Sequence, residues 1–344
     1  MFNYKWNLKD GYPEHNGIKC FGTFICGGGS SMGYKLAGIE HLGGVEIDPS
    51  ISKIYKKNHN PKYLYTMDIR DFVKLDDLPT ELFNIDILDG SPPCSTFSTS
   101  GSREDAWGKE KQFAEGQKLQ TLDDLFFYYL DLVEKIRPKV FIAENVSGLL
   151  KGNAKAYIRK ILDKATSIGY ETQLFLLNGQ QCGLPQKRER CFFVGRRKDL
   201  KLPKLSLKLD SKIIPFKDVK LDTGTIFENL SDNSFEIMKN CLIGVDKDLG
   251  DINHRLRGKE IGFNEKIIYD NSLMPTITAT NCHIYISKDR KIIRHPYRQE
   301  VLMCSSFPLD YDDMGKLKFL CGMSVPPIMT ATLAEQVCKQ IFKV

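Results

Sequence analysis

Cys94 follows two prolines directly, in the string Asp86-Ile87-Leu88-Asp89-Gly90-Ser91-Pro92-Pro93-Cys94. An apolar strand that runs into Pro-Pro stops there and leaves a rigid backbone, so the thiol is presented at the carboxyl edge of the sheet that the strand joins. At such an edge a thiol can serve as a nucleophile once it loses its proton. Packing is the competing reading for any single cysteine. The polar and glycine-bearing stretch from Ser95 to Gly116 is a poor setting for a purely apolar contact. Glu144-Asn145-Val146 closes a later apolar run and brings a carboxylate to the same edge. Arg188 and Arg190 alternate within Gln186-Lys187-Arg188-Glu189-Arg190, and in an extended segment alternate side chains point the same way.

A second group of residues suits a nucleoside-containing ligand. The first apolar run leads into Gly27-Gly28-Gly29-Ser30-Ser31 and then a helical pattern, and glycines at such a strand-to-helix turn let a ligand approach the backbone closely. The next run ends Val45-Glu46-Ile47-Asp48, where Glu46 can accept hydrogen bonds from ribose hydroxyls. A tight turn followed by a strand-end acid is common in any α/β protein, so at this level the ligand and the bare fold remain alternatives.

The elements that must position these groups alternate between two periods. Apolar runs at 21–26, 44–48, 85–89, 140–144, 172–177 and 191–195 read as strands, with helical patterns at 49–58, 122–136 and 154–168 between them. That order predicts an α/β fold, a doubly wound, mostly parallel sheet with ligands at the carboxyl ends of its strands. From about residue 198 to 313 the rhythm is lost. Short β-like runs at 266–269 and 283–287 predict a smaller, irregular second domain, and helical periodicity returns at 327–343.

The chain has 344 residues, room for about two domains at the usual size, and 42% of them are hydrophobic. Leu125 to Leu130 is the longest apolar run, far short of the ~20 residues of a membrane span, and the N-terminus lacks the apolar core of a secretory signal. A cytoplasmic, nucleoid-associated protein with no membrane partner is therefore expected. None of the ten cysteines falls in a C-x-x-C pair or in zinc-site spacing, the six histidines fit no metal spacing, and no metal is expected. The net charge of +6 is unevenly placed: twelve Lys or Arg lie between Lys187 and Lys220 against four acids. A solvated linker and a phosphate-contacting surface both fit such a run.

In this order, after a glycine-rich first turn, Pro93-Cys94, Glu144-Asn145-Val146 and Gln186-x-Arg188-x-Arg190 resemble the C5-cytosine DNA methyltransferase family of bacterial or phage type. The resemblance runs from Phe24 to the C-terminus, where Gly322-Met323-Ser324-Val325-Pro326 is similar to the family's last motif. It implies an S-adenosylmethionine-dependent methyltransferase fold with a catalytic and cofactor-binding domain over 1–197 and 315–344. A smaller, irregular β-rich recognition domain over 198–314 is implied with it. Cys94 is then the nucleophile, Glu144 the assisting acid, and Arg190 a ligand of the cytosine ring with Arg188 close by. S-adenosylmethionine is implied as cofactor, held through Phe24, Gly28, Gly29, Glu46, Ile47, Asp68 and Ile69, with Leu125 beside it. The implied partner is double-stranded DNA, with a cognate restriction endonuclease as a companion and a monomeric state. The chain departs from the family pattern at Cys26, Ile47, Ser95 and Met323, where a glycine, an aromatic, a glutamine and an asparagine are usual.

The chemistry explains the combination. Cytosine C5 is a poor nucleophile toward a methyl sulfonium, so a thiolate must first add at C6. The charge that gathers at N3 and O2 then needs an acid and a cation, and the base must leave the duplex to be reached. Methylation of cytosine in tRNA is the alternative within the family, although the Cys-Phe-Thr string of that branch is absent. A catalytically silent DNA-binding homologue is the alternative from another class.

Overall fold

The computed structural model describes residues 2–93, 124–150, 155–258, 265–281 and 283–344. Seven strands build the main sheet: β1 (Lys19–Thr23), β2 (Glu40–Glu46), β3 (Tyr63–Thr66), β4 (Ile87–Gly90), β5 (Val140–Val146), β6 (Tyr170–Asn178) and β7 (Glu189–Arg197). Their order is β3-β2-β1-β4-β5-β7-β6. The pairs β1–β2, β2–β3, β1–β4 and β4–β5 are parallel, and β5–β7 is antiparallel. The strand order reverses direction after β1, and such a switch point opens a crevice at the carboxyl ends of the parallel strands.

Period-2 alternation sorts each strand onto two faces. Phe21, Leu88, Phe141, Ala143, Cys191 and Phe193 belong to one buried cluster. Onto that cluster pack α3 (Ile69–Phe72), α4 (Leu125–Ile136) and α5 (Lys155–Ser167), through Phe72, Leu125, Phe126, Leu132, Ile136 and Ile161 among others. Each fully buried Leu or Phe contributes roughly 1.5–3 kcal/mol by leaving water. The intervening positions, among them Ile87, Asp89, Ile142, Glu144 and Arg190, point to the opposite face. α1 (Gly29–Leu36) supplies Tyr34 to that face, where its hydroxyl bonds Asp89. α2 (Pro49–His59) starts cleanly because the Asp48 side chain accepts from the amides of Ser50 and Ile51 and Pro49 takes the first helical position.

The chain divides into two compact units. The sheet unit comprises Tyr12–Leu177, Glu189–Lys208 and Thr330–Val344; the second comprises Met1–Gly11, Asn178–Arg188 and Leu209–Met329. The second unit holds a three-stranded sheet, β8 (Ile267–Ile268), β9 (Ile284–Ile286) and β10 (Ile293–Arg294), in the order β10-β9-β8. It also holds the helices α6 (Asp232–Met238), α7 (Leu249–Arg257), α8 (Arg298–Cys304) and α9 (Leu317–Met323). Ile237, Met238, Cys241, Leu249, Ile252, Ile267, Ile284 and Ile286 form a small core of its own.

All six expected strands are present within a few residues of their bounds, whereas β3 is not anticipated by the apolar pattern. It is a four-residue strand with no buried position, and its apolar run is only the three residues Tyr63-Leu64-Tyr65. Helices α6, α7 and α8 likewise fall where the helical rhythm is expected to be lost. They are only seven to nine residues long, too short for periodicity to stand out, yet Ser231 and Asp248 cap two of them through the amides of Ser234 and Asp251. The tail is helical as expected, as α10 (Pro327–Val337). Taken from Leu317 to Phe342, this end of the chain is long and apolar enough to cross a membrane by length and composition, a property that unbroken apolar runs do not reveal. Its apolar window is 72% buried inside the protein, the signature of a core helix.

Candidate active site

The carboxyl edge of the parallel strands gathers most of the expected residues. After β1 the backbone passes through two positive-φ residues, Phe24 and Cys26, and then Gly28 at φ 76°, where α1 begins. A Cβ at Gly28 would lie 2.2 Å from His59 Nε2, so only glycine lets the turn rest on that imidazole. The His59 ring stacks on Tyr55 at 4.3 Å between centroids, and Nε2 lies 3.3 Å from the Gly27 carbonyl oxygen. Burial pushes the ring down to about 3, so it supports the turn as a neutral imidazole.

Glu46, at the end of β2, ties this turn to its own strand. Its Oε2 accepts from the Cys26 amide at 2.9 Å and its Oε1 from the Asp48 amide at 3.0 Å. Burial raises its carboxyl above the ordinary range, in part offset by those backbone bonds. The Ile47 amide is a third backbone partner, which leaves the carboxylate acceptor capacity for a ligand hydroxyl. Ile47 next to it is exposed. Asp68, just beyond β3, caps α3 through the Arg70 amide and also accepts from the Arg70 guanidinium at 2.8 Å. Burial alone would raise that carboxyl, but the Arg70 bonds outweigh it and hold it below its usual range. Ile69 and Leu125 are buried in the apolar cluster against which Phe24 packs. A glycine turn without room for a Cβ, a buried acid beside it and apolar residues on adjacent strand ends are a donor set that fits a nucleoside cofactor.

Cys94 lies outside the described residues, as does the stretch 95–123. The approach to it is described. Asn145 Nδ2 donates to the Pro92 carbonyl at 3.2 Å, so the residue after Glu144 holds the proline pair in place. Local sequence gives Asn145 no role of its own, and only the cross-strand contact supplies one.

Glu144 and Arg190 meet. Arg190 Nε lies 2.7 Å from Glu144 Oε1, with both side chains largely buried at 14% and 11% exposure. Arg188 is placed differently, within the second unit. It is 1% exposed and donates to the carbonyls of Ile277 at 2.9 Å, Gly322 at 2.7 Å and Ser324 at 2.9 Å. Gln186, fully buried, donates to the Cys304 carbonyl and accepts from the Ile277 amide. Gly322 is needed there because a Cβ would meet the Thr278 backbone at 2.3 Å. The next residue, Met323, is half exposed.

One further acid stands out only in the structure. Asp89, in β4, is 4% exposed, accepts from the Tyr34 hydroxyl at 3.0 Å, and is pushed up to about 7 by burial and by the neighbouring Glu144 carboxylate. The signal available in the sequence was an acid inside a strand otherwise apolar on both faces.

Comparison with known proteins places the chain among relatives. The C-5 cytosine-specific DNA methylase family model matches residues 18–339. The Type II methyltransferase M.NgoPII of Neisseria gonorrhoeae is 33% identical over 60% of this chain and 58% of its own length. M.FnuDI of Fusobacterium nucleatum, another Type II methyltransferase, is 32% identical over 67% of this chain and 58% of its own. The chain thus spans somewhat over half the length of these relatives. Among solved structures, a putative DNA modification methyltransferase from an Escherichia coli prophage superposes with a TM-score of 0.65 at 18% identity, covering 94% of this chain and 99% of the other. The DNMT2 of Spodoptera frugiperda gives 0.64 at 18% identity, covering 93% and 99%. At such identities the structural likeness speaks for the shared fold.

Proposed function

The chain belongs to the C-5 cytosine-specific DNA methylase family, and on that basis we propose that it is a DNA (cytosine-5-)-methyltransferase acting on a flipped cytosine in a specific duplex sequence. The observation that carries this reading is the Glu144–Arg190 pair, at the same sheet edge as the Pro92-Pro93 approach to Cys94. In the resting site the two side chains neutralise each other. A cytosine ring entering between them would take the carboxyl at N3 and the guanidinium at O2, where charge develops once the Cys94 thiolate has added to C6. Loss of the C5 proton and of the thiolate then restores the aromatic ring.

S-adenosylmethionine, when bound, supplies an electrophilic methyl group on a sulfonium. Gly28 and Gly29 allow close approach, Glu46 accepts the ribose hydroxyls, and Phe24, Ile47, Asp68, Ile69 and Leu125 complete the walls. Arg188 acts in this reading by holding the segment that carries Arg190. Residues 1–197 and 315–344 perform the catalysis, and residues 198–314 choose the target sequence. The protein works as a monomer on DNA in the cytoplasm, with a cognate restriction endonuclease as companion.

Trapping tests the reading. Duplex DNA containing 5-fluorocytosine should form a covalent adduct that survives denaturation, because fluorine cannot leave as the C5 proton does, and Cys94→Ser should form none. An adduct with tRNA alone would move the substrate to RNA. No adduct with either would leave a binding protein.

A further inference from the structure

The family chemistry leaves Asp89 without a task, although this acid is bonded to the first helix turn that follows the glycines. In the β1–β4 register Asp89 stands opposite Gly22, one residue before the end of β4. Its carboxylate accepts from the Tyr34 hydroxyl at 3.0 Å and from the Ser30 side chain, and Ser30 follows Gly29 in the first turn of α1. On the β5 side Asp89 pairs with Ile142, so Glu144, two residues on, is its diagonal neighbour on the same face.

Burial and the Glu144 carboxylate oppose its charge, while the bonds from Tyr34 and Ser30 favour it. From β1 come the buried thiol of Cys20 and Thr23, whose hydroxyl bonds the Asp89 carbonyl at 3.2 Å. From α4 comes Tyr129, whose hydroxyl donates to the carbonyls of Leu88 and Ile142. From β5 comes Glu144, a second carboxylate, already engaged by Arg190. Asp89 at neutral pH is thus divided between its two protonation states. A cation arriving over the glycine turn would favour the ionised one.

We propose that Asp89 reads the charge of the cofactor, releasing its proton when a cationic sulfonium binds and taking one up when the neutral thioether product replaces it. This rests on the cofactor reading above. The proton passes between the carboxyl oxygen and solvent, no electron pair moves between ligand and protein, and the loss of at most one proton offsets the single positive charge that the donor already carries. The site then holds the donor more tightly than the product, which lacks the positive charge. Glu46 cannot account for such a difference, because donor and product carry the same ribose.

Calorimetric titration with S-adenosylmethionine and S-adenosylhomocysteine, in buffers of different ionisation enthalpy, counts the protons. Near pH 7 the wild-type protein should release roughly half a proton with the donor and close to none with the product. Donor affinity should rise up to about tenfold per pH unit below that point and level off above it, while product affinity stays flat. Asp89→Asn should flatten the donor profile and lower the donor-to-product affinity ratio. Tyr34→Phe removes a bond that favours the ionised carboxylate, so it should carry the break to higher pH, a shift that a purely structural Asp89 would not produce. Equal proton counts for the two ligands, or an unchanged donor profile in Asp89→Asn, would overturn this proposal and leave the cofactor reading standing. Failure of both ligands to bind would overturn the cofactor reading and this one with it.

Discussion

Glu144 and Arg190 stand diagonally across an antiparallel strand pair. Glu144 is opposite Phe192, Arg190 is opposite Val146, and the guanidinium closes on the carboxylate at 2.7 Å. Diagonal neighbours on one face of a sheet are within reach of long side chains. The antiparallel insertion of β7 beside β5 is what brings the start of one strand to the end of the other.

Glu144→Gln keeps the shape of this pair and removes its acid. Turnover should fall by about 10² to 10⁴, with little change in affinity for DNA. Single-turnover rates and binding isotherms check this. A loss confined to KM would make Glu144 a binding residue.

Arg188→Met should act on stability. Three backbone carbonyls lose a charged donor in a largely buried site, at a cost of at least about 4.5 kcal/mol, since each hydrogen bond to a charged group contributes roughly 1.5–3. Urea denaturation measures it. A variant as stable as the wild type but with kcat reduced would place Arg188 in the pocket instead.

Glu46→Ala should weaken S-adenosylmethionine by roughly 1.5–3 kcal/mol. Titration calorimetry gives the value. Unchanged affinity would mean that Glu46 serves only to tie the glycine turn to β2 through Cys26 and Asp48.

The basic run offers a test of charge against specificity. Lys198 Nζ donates to the Thr166 carbonyl at 3.1 Å and Lys204 lies 3.6 Å from Glu171, both loose, exposed pairings of the kind that contribute little. Replacing Lys198, Lys201 and Lys204 by glutamine should lower affinity equally for cognate and unrelated duplexes. The salt dependence should flatten by up to about 0.9 for each phosphate that is no longer neutralised. A slope equal to that of the wild type would identify the run as solvated surface.

Asp89 also sets a pH dependence of stability. Burial holds its folded pKa at about 7, against about 3.9 in an unfolded chain. Between those values the folded chain keeps a proton that the unfolded chain releases. The contribution of Asp89 is therefore complete below about pH 4 and is lost as pH rises to about 7, by at most about 1.4 kcal/mol per unit. The stability of Asp89→Asn relative to the wild type should climb across this window and then level off. Denaturation curves at several pH values give the difference, and a flat difference would show that Asp89 is already ionised throughout.

Local patterning determined most of the sheet and singled out the residues of the candidate site. Apolar runs marked six strands, a helical pattern marked 49–58, and Pro-Pro before Cys94, Glu144 at a strand end and the glycine turn all announced themselves within a few residues of sequence. Periods and caps are short-range properties, so they can be read without knowing the fold. The fate of the two arginines is not of this kind. Gln186, Arg188 and Arg190 alternate identically, yet Arg188 is enclosed by the carbonyls of Ile277, Gly322 and Ser324 while Arg190 reaches Glu144. Those partners lie far along the chain, and which of them arrives depends on packing. The same holds for Asp89, whose proton is governed by burial beneath Tyr34 and by a carboxylate two residues along on a neighbouring strand. A side chain's charge state and hydrogen-bond partners depend on what surrounds it in space, and only the tertiary structure decided that.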